Sequence, residues 1–263
     1  MKKYWVWLST LEKVSPKNRL RLLNYFKDPK NIWIASEVEL RKSQILTEGA
    51  INQITDKKYK TEASKYLEAI SKEGIDLITI DDEKYPGYLR NIYDPPVVLY
   101  VKGELVQNEK SISIVGSRKA TSYGLEAGEE LAYQLSSIGI TITSGMARGI
   151  DSSAHKGALR AKGRTIAVLG CGHDIVYPPE NRALMEDIIA SGAVISEYLP
   201  GTNPMAKNFP VRNRIISGIS LGVVIVEAAE NSGSLITADF ALEQGREVFA
   251  IPGNINRINS KGT

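Results

Sequence analysis

The chain has 263 residues, of which 43% are hydrophobic and 24% are charged, a composition typical of a globular protein with one or two domains. No apolar run approaches the ~18 residues of a membrane span, and no small-residue cleavage site follows the two-lysine start, so neither a membrane segment nor a signal peptide is expected. One cysteine excludes an internal disulfide and favours a cytoplasmic location, and two histidines are too few to suggest a metal site. Residues 1–75 carry 15 Lys+Arg against 9 Asp+Glu, an excess that suits either nucleic-acid contact or a solvated helical surface.

Residues 1–73 are predicted to form a small all-helical domain. Apolar residues recur at helical spacing in the segments 19–26, 32–40 and 63–71. Helix breaks are predicted at Ser15-Pro16, Asp28-Pro29 and Gly49.

Residues 74–110 are predicted to be a linker with leading strands, because short β-like runs at 77–80 and 97–101 alternate with prolines. From residue 111 to 263, continuous apolar runs alternate with helical patterns, which is typical of a parallel sheet with helices on both faces. Six strands are predicted, at 112–115, 140–143, 165–169, 193–196, 221–226 and 247–251. The fold class is therefore α/β, with a Rossmann-like parallel sheet preceded by the helical domain.

The loop after the first of these six strands reads GSRKATSYG, and ligands of open parallel sheets bind at the carboxyl ends of strands. Gly116 lets the backbone turn and approach a ligand, and the loop amides, that of Ser117 among them, favour an anion. Arg118 can clamp a phosphate with two parallel N–H donors. The alternative is a plain turn with an exposed arginine.

Two other strands of the predicted sheet end in loops of the same character. The second strand ends in SGMARGID (144–151), where Arg148 is a second candidate phosphate ligand and Asp151 is expected to cap the next helix. After the fifth strand, Glu227 is expected either to contact ligand or to pair with an arginine such as Arg118 or Arg214. The helix that follows opens with a third anion-binding turn formed by Ser232, Gly233 and Ser234.

A long loop at 198–216, after the fourth strand, carries three cations and an aromatic ring: Lys207, Phe209, Arg212 and Arg214. Cations that meet phosphates and a ring that stacks on a base are the groups that single-stranded nucleic acid needs. The alternative is that Phe209 fills the core and one arginine binds a helix end.

No catalytic set accompanies these loops. Cys171 lies between two glycines with no obvious base, His155 falls within a predicted helix and His173 within a loop. We therefore predict a binder of a phosphate-rich ligand that has no catalytic residues, metal or cofactor, and that is not an enzyme.

These residues occur in motifs that resemble the DNA-processing protein A family, also called DprA or Smf. The motifs are SIVGSRKATSYG, ITSGMARGIDSSAHKGAL, TIAVLGCGHDIVYPPEN, ISEYLPGTNP, NFPVRNRIISGIS and VVIVEAAENSGSLITADFALEQGREVFAIPG. The resemblance is dense over 105–254 and looser in the helical front half.

The resemblance implies a SAM-like helical domain, a Rossmann-like DNA-binding domain and a homodimer. It implies a protein that binds single-stranded DNA, protects incoming strands and helps to load the RecA recombinase in natural transformation. The site residues that it implies are Gly116, Ser117, Arg118, Ser144, Gly145, Lys207, Phe209, Arg212 and Arg214. The chain stops at INSKGT, where the family usually continues, so a truncated C-terminal end is expected.

Two other functions stay open on the residues. One is a nucleotide-binding phosphoribohydrolase of the LOG-like type, although the stretch NSGSLITADFALEQG lacks that class's double glycine and its first glutamate is Glu243. The other is a nucleotide sensor that uses the same loops for a mononucleotide.

Overall fold

An eight-stranded sheet forms the centre of the protein, for which a computed structural model describes residues 1–254 and 256–263. The strands are β1 (Asp76–Thr79), β2 (Val98–Gly103), β3 (Ser111–Val115), β4 (Thr141–Ser144), β5 (Thr165–Leu169), β6 (Ala193–Ser196), β7 (Gly222–Ile225) and β8 (Glu247–Ala250). Their spatial order is β1-β2-β6-β5-β4-β3-β7-β8. The pairs β1–β2 and β2–β6 are antiparallel, and β3 to β8 run parallel with β6. All six strands predicted after residue 110 are confirmed.

The helical front half also forms as predicted, with some changes of boundary. Its helices are α1 (Lys2–Thr10), α2 (Pro16–Phe26), α3 (Pro29–Ile34), α4 (Glu37–Lys42), α5 (Glu48–Thr55) and α6 (Lys57–Lys72). The segment 32–40 contains two helices because Ser36 and Glu39 form a capping box that starts α4. The break predicted at Gly49 is wrong, since Gly49 lies in the first turn of α5, which Thr47 caps.

The two β-like runs of the predicted linker join the sheet. They form β1 and β2, with a short helix α7 (Gly87–Arg90) between them. Trp7 and Leu8 of α1 share one continuous apolar core with Leu99 of β2 and Ile166 of β5. The helical front half therefore packs onto the sheet itself. The division at residues 73 and 110 into separate domains stays a prediction.

Helices cover both faces of the sheet, as predicted. They are α8 (Ser122–Ser137), α9 (Ile150–Arg160), α10 (Arg182–Ser191), α11 (Asn208–Ile219) and α12 (Gly233–Glu243). On one face, Ile114 and Ile142 pack with α8 and α9, while α10 covers β5 and β6. On the other face, Val115 and Val168 share a core with residues of α11 and α12. None of the helices in the described parts of the chain is long and apolar enough to span a membrane.

Candidate nucleic-acid interface

A cleft of about 670 Å³ opens at the carboxyl edge of the sheet, where β3 and β7 end. Its walls come from the loop after β3, the first turns of α11 and the start of α12. The residues that line it include Gly116, Ser117, Arg118, Lys119, Asp151, Tyr177, Phe209, Arg212, Asn213, Ser232, Gly233 and Ser234. Four of the predicted loops therefore meet at one site, since Asp151 belongs to the SGMARGID loop.

Backbone contacts fix the Gly-Ser-Arg loop. A Cβ on Gly116 would lie 2.7 Å from Ile150 Cγ1 and 2.9 Å from the Glu227 carbonyl oxygen, so only glycine fits there. The Ser117 N–H donates to that same carbonyl at 2.7 Å. The Ser117 amide is therefore already satisfied, and the anion-binding capacity of this loop rests on its exposed cationic side chains.

Arg118 and Phe209 form the exposed part of the cleft. The Arg118 side chain is exposed, and its guanidinium carbon lies 5.5 Å from the centre of the Phe209 ring. It has no hydrogen bond or ion pair with any described residue. The half-buried Phe209 ring packs on Gly170 and lies 5.5 Å from the Tyr177 ring centre, at an interplanar angle of 36°. Phe209 thus lines the cleft and does not fill the core.

Arg212 forms the floor of the cleft and is buried. Its Nη1 donates to the carbonyl oxygens of Gly145, at 2.9 Å, and Val168. Burial lowers the pKa of Arg212 to about 10, against the attraction of Asp151, so the guanidinium stays charged at neutral pH. Burial in turn raises the pKa of Asp151, and the nearby charge of Arg212 opposes that rise. The cleft floor therefore carries a fixed positive charge beside a carboxyl group.

The SGMARGID loop contributes to the cleft mainly through its backbone, since the Gly145 carbonyl holds Arg212. Ser144 is fully buried, and its hydroxyl donates to the Ile114 carbonyl at 2.6 Å, which places it below the cleft. A Cβ on Gly145 would lie 2.7 Å from both terminal nitrogens of Arg212, so glycine is needed there. Asp151 lies in the first turn of α9 and accepts from the Ala147 N–H at 3.3 Å, while Gly149 occupies the cap position that was predicted for Asp151.

Arg148 and Lys207 lie at the margin of the cleft. Arg148 is exposed and forms an ion pair with Glu180, with Nη2 and Oε2 3.0 Å apart. It borders a small adjoining hollow together with Arg118 and Phe209. Lys207 is exposed, directly precedes α11 and is not among the residues that line the cleft.

Arg214 lies outside the cleft, in contrast to its predicted place among the DNA ligands. Its side chain is 1% exposed and forms ion pairs with Asp94 and Glu197. A guanidinium that two carboxylates hold within the protein has no surface to offer a phosphate. We therefore omit Arg214 from the proposed DNA contacts.

The start of α12 closes the cleft on the third side. The Ser232 hydroxyl caps this helix by accepting from the Ser234 N–H at 3.4 Å. A Cβ on Gly233 would meet none of the described atoms within 4 Å, so this first turn faces open space. The N-terminus of the helix directs its partial positive charge toward the cleft.

Lys119, Tyr177 and Asn213 are among the cleft residues that sequence reasoning missed. Lys119 adds a second exposed cation beside Arg118, and Tyr177 adds a second ring beside Phe209. Asn213 accepts from Arg212 Nε at 3.2 Å and donates to the Gly233 carbonyl at 3.2 Å, which ties α11 to the start of α12. The only signal for Asn213 was its position between two arginines.

The expectation for Glu227 is also corrected. It pairs with neither predicted arginine, but accepts from the Thr121 N–H at 2.9 Å and the Thr121 hydroxyl at 2.6 Å. The carboxylate therefore fixes the start of α8, close to the loop that carries Arg118.

The cysteine and the two histidines are buried outside the cleft. Burial raises the pKa of the Cys171 thiol to about 11 and lowers the pKa of His155 to about 3 and of His173 to about 4. None of the three lines the cleft. Within residues 1–254 and 256–263, no group of three His, Cys, Asp or Glu side chains is placed to hold a metal ion.

Comparison with known proteins identifies the family. The sequence profile of DNA recombination-mediator protein A matches residues 76–263. The DNA processing protein DprA of Bacillus subtilis is 41% identical over 238 residues, which cover 89% of this chain and 80% of that protein. The chain belongs to this family.

Other members share the sequence and the fold. The Smf protein of Synechocystis is 40% identical over 256 residues, which cover 95% of this chain and 64% of that protein. The crystal structure of DNA processing protein A from Streptococcus pneumoniae superposes with a TM-score of 0.86 at 34% identity, over 100% of this chain and 90% of that one. The Helicobacter pylori protein, whose structure concerns its single-stranded DNA binding mode, gives a TM-score of 0.63 at 29% identity, over 70% of this chain and 84% of that one. The predicted fold class is confirmed.

Proposed function

We propose that this protein binds single-stranded DNA in the cleft and acts as a recombination mediator. The observation that carries the proposal is the pairing of Arg118 with the half-buried ring of Phe209. The guanidinium carbon of Arg118 lies 5.5 Å from the centre of that ring. A strand needs both a cation for its phosphate and an aromatic surface for its base. The start of α12 and the buried charge of Arg212 add attraction for the same phosphates.

The proposed contacts differ in kind. Arg118, Lys119 and the first turn of α12 contact phosphates, with Arg148 and Lys207 along the flanking strand. Phe209 and Tyr177 stack on bases. Because phosphate contacts and stacking read no base edges, we expect weak sequence preference. The protein has no catalytic role in this proposal.

Family membership extends the proposal to partners. We propose that the protein helps to load the RecA recombinase onto the bound strand in the cytoplasm, during natural transformation. We also propose a homodimer through the edge strand β8, where Phe249 is 52% exposed and Leu242 of the neighbouring helix is 64% exposed. Light scattering of wild type and Phe249→Glu would test the dimer, and a wild-type monomer at micromolar concentration would exclude it.

The experiment for the main proposal is fluorescence anisotropy with labelled poly-dT of several lengths and with a matched duplex, at two salt concentrations. Tight binding that prefers the single strand and weakens in Arg118→Ala supports the proposal. Weak binding to both forms of DNA contradicts it. Saturable binding of a mononucleotide without strand binding would favour a nucleotide sensor instead.

A further inference from the structure

Arg214 connects α11 to two distant parts of the chain. Its Nε donates to Asp94 Oδ2 at 3.1 Å, in the segment that leads into β2. Its Nη2 donates to Glu197 Oε1 at 3.0 Å and Oε2 at 2.8 Å, directly after β6. With a side chain that is 1% exposed, the guanidinium is fully enclosed by the protein. Asp94, Glu197 and Arg214 are called the anchor cluster below.

The anchor cluster lies on the side of α11 that faces away from the cleft. At about 100° per residue, Arg214 projects about 140° from Phe209 and about 160° from Arg212 around the helix axis. Phe209 and Arg212 line the cleft, whereas Arg214 does not. One helix thus presents the proposed DNA-binding side chains on one face and a buried ion-pair network on the other.

The segment around α7 packs against α11 on the side away from the cleft. A Cβ on Gly218 would lie 2.7 Å from Leu89 Cδ1 and 3.2 Å from Ile92 Cγ2, so α11 approaches this segment closely. Gln244, at the end of α12, donates from Nε2 to the Arg214 carbonyl oxygen at 3.0 Å. Contacts outside the cleft therefore help to fix the rotation of α11 about its axis, together with the bonds of Arg212 and Asn213 on the cleft side.

We propose that Arg214 is a positioning residue, which holds α11 through Asp94 and Glu197 so that Phe209 and Arg212 face the bound strand. The proposal rests on the proposed function and goes beyond it, because it assigns Asp94 and its segment a role in DNA binding without DNA contact. A buried guanidinium held by two carboxylates has one low-energy geometry, and rotation of the helix would break its hydrogen bonds.

The variant Asp94→Asn distinguishes a positioning role of Arg214 from direct DNA contact, because the two roles predict opposite changes in single-strand affinity. If Arg214 reached a phosphate, loss of the Asp94 charge would release it, and binding would tighten with a steeper salt slope. If Arg214 positions α11, binding weakens about two- to thirtyfold and the salt slope stays unchanged. The Asp94 side chain is 33% exposed and Glu197 remains in place, so the variant is expected to fold. Glu130→Gln, which removes the same charge from the surface of α8, is the control.

A thermodynamic cycle with Phe209→Ala tests whether the effect passes through the cleft. We expect the loss caused by Asp94→Asn to shrink in the Phe209→Ala background, because the ring that it positions is absent. Strictly additive losses would overturn the proposal. So would binding by Asp94→Asn that equals or exceeds binding by Glu130→Gln.

Hydrogen exchange without DNA gives a readout that does not depend on the proposed function. We expect faster amide exchange in residues 208–213 of Asp94→Asn than of Glu130→Gln, and equal exchange in both would overturn the positioning role. If the wild type binds no single strand, the proposed function fails and the exchange result still decides whether the anchor cluster holds α11.

Discussion

The cleft and the anchor cluster lie on opposite faces of one helix and use the same kinds of charge for different purposes. In the cleft, Arg118 is exposed and finds no acceptor among the described residues. In the anchor cluster, Arg214 is 1% exposed and holds two carboxylates. Residue type does not distinguish the two arginines, but the carboxylates around them do.

The difference follows from desolvation. A guanidinium can be buried only if nearby acceptors replace its water, and once they do, it has little left to offer a ligand. Arg212 is intermediate, since it is buried but held mainly by carbonyl oxygens, so its net positive charge remains at the cleft floor. The hydrogen-bond acceptors around an arginine therefore indicate whether its guanidinium is available to a ligand.

The largest expected effect is on stability, in the anchor cluster. Arg214→Ala leaves the carboxylates of Asp94 and Glu197 without their cation, and we expect the free energy of unfolding to fall by about 3–5 kcal/mol. Urea denaturation measures it. Arg160→Ala, which breaks an exposed pair with Glu129 and Glu130, is the control and should change stability far less. Equal losses of unfolding free energy in the two variants would mean that a buried ion pair stabilises this protein no more than an exposed one.

Acidification should also lower the free energy of unfolding, while the arginines of the cleft keep their charge. His155 and His173 are buried with pKa values lowered to about 3 and about 4, and burial is the main cause. Arg212 lowers the pKa of His155 further, whereas for His173 the Val194 carbonyl and Asp174 oppose the burial effect and Lys102 adds to it. Because the unfolded chain takes up protons below its histidine pKa of about 6.5 and the native protein does not, stability is complete above that pH and is lost as pH falls.

From pH 7 to pH 5 this loss amounts to about 2 kcal/mol for each histidine. Denaturation at pH 7, 6 and 5 would show it, and His173→Gln should reduce the pH dependence by about half. An unchanged free energy of unfolding between pH 7 and pH 5 would contradict the buried neutral state of both rings.

Phe209→Ala tests the aromatic part of the cleft. We expect single-strand binding to weaken by about 1–3 kcal/mol with an unchanged salt slope, because stacking releases no counterions. Anisotropy titrations at several salt concentrations give both quantities. If the variant binds normally when folded but unfolds more readily, the ring serves packing instead.

Arg118→Ala tests the electrostatic part and should give the smallest change. We expect the slope of log Kobs against log salt to flatten by about 0.7, the value of one phosphate contact on a single strand. Arg41→Ala removes the same charge from the helical front half and is the matched control. An equal change of slope in both variants would mean that Arg118 acts only through net charge.

Local pattern was sufficient for most of the fold. Continuous apolar runs predicted every parallel strand, because strands buried on both faces leave no room for polar alternation. The glycine turns after β3 and β7 were also predictable, since helices that follow strands begin at such turns. The wrong break at Gly49 and the missed break at Ser36 show the limit, since a glycine is tolerated inside a helix that Thr47 caps.

The sequence by itself determined the α/β class, the order of the strands along the chain and the four loops that meet in the cleft. It also supplied the motifs that indicated the family. Only the tertiary structure decided which cations face the cleft, because the partners of Arg148, Arg212 and Arg214 come from residues 32, 67 and 120 positions away in the chain. Such partners meet only when the sheet brings the strand ends together. The same long-range packing made β1 and β2 part of the sheet and turned a predicted DNA ligand into part of the anchor cluster.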